Sequence, residues 1–280
     1  MDDNAGGERA ARYMFDGGDE DLERLLRIAD MTAEATATAL RRSGIGPGWN
    51  VIECGCGPLG ALHVLAELVG ETGRVTGIDL NPDAGERARS VTDSLGLSNV
   101  HVFAGDVNDA DPAALGGPFD LAFCRLFLLH QADPVRTLRR IAAMLRPGGW
   151  IIAQEPLRYP SPQAFPRSPE LDTAWQLIFE VVEKLGAQPH ATEQLPRSVV
   201  SAGLELVRTD GLFILGDPAS LFPVFAGTIA ATRESATAAS LATGEQIDAL
   251  VAALNAAAHG DYQWVAPGFL LDCTMRKPAE

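Results

Sequence analysis

The stretch Val51-Ile52-Glu53-Cys54-Gly55-Cys56-Gly57-Pro58-Leu59-Gly60 decides the fold. A short apolar strand runs into three glycines, and helix-forming sequence follows them. Glycine lets the chain turn sharply and bring its backbone close to a ligand at the carboxyl end of a first strand. The helix beyond offers unpaired N–H groups and a partial positive charge. Taken alone, Gly-x-Gly-x-x-Gly also fits a dinucleotide-binding turn. Glu53, two residues before the first glycine, is poorly placed for a pyrophosphate and suits a cationic ligand.

Outward from this turn, short apolar runs alternate with amphipathic segments. Strands are expected at Asn50–Cys54, Arg74–Asp79, Val100–Ala104, Phe119–Cys124 and Gly149–Glu155, with helices at about 60–69, 81–95 and 133–146. Asp133-Pro134 reads as an N-cap followed by proline in the first helical turn, and Pro147-Gly148-Gly149 as the stop. Such alternation builds a parallel, doubly wound sheet. Upstream, Leu22, Leu25, Leu26, Ala29, Ala33, Ala37 and Leu40 recur at helical spacing over 19–43. After Glu155 the alternation stops at Pro156, Pro160, Pro162, Pro166 and Pro169. Helices at 170–185 and 192–202, a strand at 204–214, a helical insertion at 217–259 and a last strand at 262–275 complete the chain. The expected fold is α/β: a Rossmann-like, mostly parallel seven-stranded sheet. It divides into an N-terminal helical cap (1–48), a core (49–155), and a third part (156–280) of lid insertions plus the last two strands.

Hydrophobic residues make up 46% of the 280, enough for a large core, and the net charge of −15 argues against nucleic acid or an anionic membrane as partner. The polar, acidic start resembles no signal peptide, and no run reaches the roughly 20 apolar residues a membrane span needs. A cytoplasmic location is expected. Cys54, Cys56, Cys124 and Cys273 lie in apolar sequence without metal-ligand or disulfide spacing, so they read as buried reduced thiols, and no metal site is expected.

Acids also end the second and third strands: Asp79 in Gly77-Ile78-Asp79, and Asp106 in Gly105-Asp106-Val107. With Glu53, they place a carboxylate at the end of each of three strands. Together with Phe119-Asp120, the stretch Leu128-Leu129-His130-Gln131-x-Asp133-Pro134 and Leu145-Arg146-Pro147-Gly148-Gly149, these motifs resemble the class I S-adenosylmethionine-dependent methyltransferases. They are most similar to the bacterial small-molecule branch related to ubiquinone/menaquinone C-methyltransferases. The likeness is close over 49–155; Tyr13-x-x-x-Gly17 and the helix after it also resemble this branch.

The resemblance implies roles. Gly55, Cys56 and Gly57 would pass under the methionine moiety, with Glu53 near its amino group. Asp79 would hold the ribose, and Leu80 would pack on the adenine, whose edge Asp106 and the Val107 amide would read. Arg125 would lie beside the methionine tail, and Tyr13 would reach the cofactor carboxylate. Arg125 could equally pair with Glu155, and Tyr13 could simply pack the first helix. His130 follows the fourth strand where the family often turns a histidine toward the acceptor; it is the candidate general base, unless it only packs the loop before Asp133. Glu155 could face the same cavity and orient the acceptor or take its proton. The expected activity is transfer of a methyl to O, N or C of a small apolar or aromatic metabolite, of the secondary-metabolic kind. Tyr159, Phe165, Trp175, Phe179, Phe213, Phe222 and Phe225 are expected to form an apolar lid. The expected partner is a small-molecule acceptor, with a homodimer permitted. The alternatives are a protein that uses the cofactor to promote a rearrangement, or an NAD-dependent oxidoreductase.

Overall fold

The computed structural model describes residues 19–279. Its elements run α1 (Asp19–Arg42), β1 (Asn50–Cys54), α2 (Leu62–Val69), β2 (Arg74–Asp79), α3 (Pro82–Ser94), β3 (Val100–Ala104), β4 (Phe119–Arg125), a 3₁₀ turn (Leu128–His130) and α4 (Pro134–Met144). Then come β5 (Leu145–Pro156), β6 (Gln163–Phe165), α5 (Pro169–Lys184), α6 (Ala191–Ser201), β7 (Glu205–Phe213), α7 (Pro218–Ala231), α8 (Arg233–Ala238), α9 (Gly244–Ala257), β8 (Trp264–Ala266) and β9 (Phe269–Arg276). Seven strands form one sheet in the order β3-β2-β1-β4-β5-β9-β7. β1 to β5 are parallel, and β9 enters antiparallel between β5 and β7. The strand order reverses between β1 and β4, which opens a crevice at the carboxyl ends of those strands.

The period-two alternation of each strand decides what covers each face. Val51, Val75, Leu121 and Phe123 pack under α1 and α2, through Leu40, Leu62 and Leu65. Ile52, Cys54, Ala122 and Cys124 face α4 and α6, through Leu138, Ile141, Leu195 and Val199. Phe119 and Phe123 are completely buried, and burying such a side chain stabilises by about 1.5–3 kcal/mol. Local signals place the helix starts. Asp133 accepts from the Arg136 N–H at 2.9 Å, with Pro134 next in line, and Asn81 and Ser168 cap α3 and α5 in the same way. The four cysteines are buried and free.

Beyond β5, α5, α7, α8 and α9 build a second apolar cluster around Phe179, Phe222, Ile229 and Leu254, against which Met31 of α1 also packs. This bundle stands over the crevice. The structure departs from expectation in three places. The last strand is broken at Pro267-Gly268, where Gly268 takes φ +112°, so β8 separates from β9. β8 pairs with β6, a strand inside the proline-rich stretch expected to stay irregular. β5 begins at Leu145 and not at Gly149, with a register shift opposite Phe119–Leu121.

Candidate active site

The glycine turn is stitched to the end of β2. The Gly55 and Cys56 N–H groups donate to the Ile78 carbonyl at 2.8 and 3.2 Å. Gly55 has φ +72°, and a Cβ there would lie 2.5 Å from the Phe127 ring; Gly60, at φ +51°, would drive a Cβ into the Glu53 carboxylate. Both positions therefore need glycine for conformation and for space. Asp79 braces the same turn: its Oδ2 accepts from Gly57 N–H at 2.8 Å and its Oδ1 from Asn81 N–H at 2.9 Å. Burial raises its pKa, and those two N–H groups oppose the rise. A carboxylate has lone pairs beyond these two contacts.

Glu53 is completely buried beneath the turn, and both its oxygens accept from Ala61 N–H, at 2.8 and 3.0 Å. Desolvation pushes its pKa up to about 8, against the pull of Arg125 and the Ala61 N–H. Arg125, also buried, donates to the hydroxyls of Thr32 and Thr36 on α1. Thr36 in turn donates to Gln154 Oε1 at 2.7 Å, and Gln154 donates to Asp272 Oδ2 at 2.9 Å. A buried polar chain thus ties α1 to β4, β5 and β9. The alternative pairing of Arg125 with Glu155 is not formed.

Two cavities meet above the strand ends. One, of about 470 Å³, lies by Asp106, Val107 and Asn108. Asp106 Oδ1 accepts from the Asn108 backbone and side chain, at 2.8 and 3.0 Å. The other, of about 270 Å³, runs from Glu53, the glycine turn, Asp79 and Arg125 up to an apolar chamber between α1, α5 and α7. Gly55, Leu80, Phe127, His130 and Gln131 line both. Burial and the charge of Arg24 hold the His130 imidazole down at about 4, so it is neutral at physiological pH.

The expectation for Glu155 is corrected. It lines neither cavity. Its carboxylate accepts from three successive backbone N–H groups: Phe127 at 3.0 and 3.2 Å, Leu128 at 2.8 Å and Leu129 at 3.4 Å. It therefore holds the 3₁₀ turn that carries His130. Just before that turn, Leu126 has φ +52°, a conformation that costs a non-glycine residue about 1–3 kcal/mol. The aromatic lid is corrected too. Trp175, Phe179 and Phe225 line the chamber; Phe222 is wholly buried against Tyr262, and Tyr159, Phe165 and Phe213 are exposed. Tyr13 lies outside the described residues. Arg24, Phe127 and Thr228 line the chamber without having been singled out from sequence. For Arg24 a signal existed: a charge set within the apolar stripe of α1.

A family model described as a methyltransferase domain matches residues 45–203. The chain belongs to this methyltransferase family. It is similar to the nocamycin O-methyltransferase of Saccharothrix syringae, 34% identical over 115 residues, which are 41% of this chain and 40% of that protein. It is also similar to the aklanonic acid methyltransferase DauC of Streptomyces sp. (strain C5), 34% identical over 110 residues, 39% of this chain and 49% of that one. The chain spans about half, or less, of the length of these two relatives. In fold it is similar to the [4+2]-cyclase SpnF, with TM-score 0.55, 23% identity and coverage of 89% of this chain and 82% of that chain. It is likewise similar to geranyl diphosphate C-methyltransferase from Streptomyces coelicolor A3(2), solved with S-adenosyl-L-homocysteine: TM-score 0.51, 15% identity, 87% of this chain and 76% of that one.

S-adenosylmethionine is the cofactor of this methyltransferase family, and the residues present fit it. Gly55 and Gly60 let the turn pack closely against Phe127 and Glu53, which line the cavity beside it. Carboxylates stand at the ends of β1, β2 and at the turn after β3, and Leu80 and Phe127 are among the residues that line both cavities.

Proposed function

We propose that the chain transfers the methyl of S-adenosylmethionine to O, N or C of a small apolar or aromatic metabolite in secondary metabolism, a reading supported by its likeness to methyltransferases named for nocamycin and aklanonic acid. One observation carries this most: a cavity beside Asp106 and Asn108 and a neighbouring one that runs into an apolar chamber have Gly55, Leu80, Phe127, His130 and Gln131 as common lining. When bound, the cofactor supplies a methyl made electrophilic by the attached sulfonium. In this arrangement the chain contributes alignment and water exclusion. Asp79 accepts from ribose hydroxyls, Leu80 packs on the adenine, and Asp106 with the Val107 N–H reads the adenine edge. Glu53 and Arg125 flank the amino and carboxylate ends of the methionine moiety, above the backbone of Gly55, Cys56 and Gly57. His130 works on the acceptor side, where a neutral imidazole accepts a hydrogen bond from a nucleophile and orients it.

Glu53 and Asp106 weigh against a nicotinamide cofactor: Glu53 lies directly beneath the glycine turn on which a pyrophosphate would rest, whereas Asp79 would suit the ribose of either cofactor. S-adenosylhomocysteine at 100 times its dissociation constant is expected to stabilise the fold by about 2.7 kcal/mol, with no effect from NAD. A melting temperature raised only by NAD overturns the cofactor assignment. Formation of S-adenosylhomocysteine during turnover then separates methyl transfer from a rearrangement promoted at the same site.

A further inference from the structure

Arg125 is a buried cation beside the glycine turn, and the way it is held gives a role to side chains that do not touch the glycine turn. It stands at the end of β4 and lines the cavity with Glu53, Gly55 and Gly57. Its Nη1 donates twice, to the hydroxyls of Thr32 and Thr36, the second at 3.2 Å. The two threonines are buried, four residues apart on one face of α1. A hydroxyl has one proton to give and can accept as well. Thr32 gives its proton to the Ile28 carbonyl at 2.7 Å, and Thr36 gives its own to Gln154 Oε1 at 2.7 Å. Both hydroxyls are therefore turned to accept, which is what a guanidinium requires.

The direction of Thr36 is itself enforced. Gln154, wholly buried on β5, donates its amide to Asp272 Oδ2 on β9 at 2.9 Å. A carboxylate only accepts, so the amide of Gln154 cannot turn over, and its Oε1 stays toward Thr36. Every bond from Arg125 to Asp272 thus runs donor to acceptor in one direction. Two neutral hydroxyls orient the guanidinium without cancelling its charge, as a carboxylate in their place would. With Nη1 held at two points, the plane of the fork is fixed, and a planar fork of N–H donors matches a carboxylate. In S-adenosylmethionine the carboxylate is the one anionic group.

We propose that Thr32 and Thr36 are positioning residues for cofactor binding: they hold the Arg125 fork in the plane that receives the carboxylate of the methionine moiety, while Gln154 and Asp272 keep Thr36 turned to accept. The inference rests on the methyl-transfer function proposed above, with Arg125 at the carboxylate end of the cofactor. Its consequence is that the carboxylate is recognised through the docking of α1 on the sheet, and not by Arg125 alone.

The test is equilibrium binding, by calorimetry and without an acceptor, of S-adenosylmethionine and of its decarboxylated form, which keeps the adenosine, the sulfonium and the amino group. Wild type is expected to hold the intact cofactor about 10- to 100-fold more tightly, the range of a charge-assisted hydrogen bond. Thr32→Val combined with Thr36→Val keeps the shape of both side chains and removes both acceptors. It should lower that ratio by about 10-fold. Affinity for the decarboxylated form should stay unchanged, which also shows that the variant is folded. Thr32→Ser combined with Thr36→Ser, which retains both hydroxyls, should restore the ratio. Gln154→Leu should lower it in the same sense by about 2- to 10-fold, and decides the matter where the double valine variant does not fold. A wild-type ratio in the folded double valine variant or in Gln154→Leu, an equal loss of affinity for both ligands, or a wild type that does not distinguish them overturns the proposal. Failure of wild type to bind S-adenosylmethionine at all is a different result: it overturns the methyl-transfer function.

Discussion

Glu155→Gln tests whether this carboxylate is a loop anchor. In the wild type its two oxygens accept from the N–H groups of Phe127, Leu128 and Leu129. An amide keeps one of those oxygens and turns an NH₂ toward donors, which costs about 1–3 kcal/mol of buried hydrogen bonding. A second, pH-dependent part follows from burial. Desolvation is the main cause that raises the Glu155 pKa to about 7, against the ordinary 4.5. The folded protein therefore holds this proton where the unfolded chain has released it. The stability so contributed is complete below about pH 4.5 and is lost as pH rises to about 7, at about 1.4 kcal/mol per pH unit. The total is about 3 kcal/mol for a fully buried group. Glutamine has no such dependence. Denaturant unfolding followed by tryptophan fluorescence should therefore show Glu155→Gln less stable than wild type at pH 5, with the gap narrowing by roughly 2–3 kcal/mol by pH 8. Glu53 contributes a slope of the same sign to both proteins, over a window reaching about 8, and cancels in the difference. A gap that does not change with pH, or a variant as stable as wild type throughout, refutes the anchoring role.

Asp79→Ala should weaken S-adenosylhomocysteine binding by about 10- to 100-fold in calorimetry, because a ribose acceptor and the brace on Gly57 and Asn81 are lost together. Asp79→Asn, which keeps one acceptor oxygen, should fall between; unchanged affinity in both would place the ribose elsewhere. His130→Ala should lower single-turnover methyl transfer by about 10- to 100-fold, at or below the low end of the 10²–10⁴ expected for a base matched to neutral pH, with cofactor affinity unchanged. Since His130 is held near 4, the wild-type rate should show no inflection from it between pH 6 and 8; an inflection that His130→Ala abolishes would reverse this assignment. Gly55→Ala meets both a positive φ and the Phe127 ring, and should cost roughly 2–5 kcal/mol from backbone strain and overpacking combined, read as a lowered melting temperature.

Much of the sheet was legible because its signals are local. β1, β2 and β3 have the expected bounds, since each is a short apolar run closed by a strand-end turn. Asp133-Pro134 marked the start of α4, and Glu53, Gly55, Gly57, Asp79 and Asp106, read from their spacing as strand-end residues, all line the cavities there. Those residues lie within a few positions of the turns that place them. What sequence could not reach depends on parts of the chain that meet only after folding. Glu155 looks like a cavity carboxylate when counted along β5; its direction is decided by the turn at Leu128–His130, 25 or more residues earlier, whose N–H groups need acceptors. Arg125 finds Thr32 and Thr36 some 90 residues upstream. Arg24 finds Gly227 and Thr228 some 200 residues away, on a helix whose approach is decided by packing among α5, α7 and α9. The aromatic residues of the insertions divide between chamber, core and surface for the same reason: composition makes a segment apolar, but only the packing of helices against one another decides which side chains face a cavity. The local code along the chain determined the sheet and the turns at its strand ends, and the tertiary structure alone decided the apolar chamber above them, because that wall is assembled from segments of α1, α5 and α7 with no sequence relation to one another.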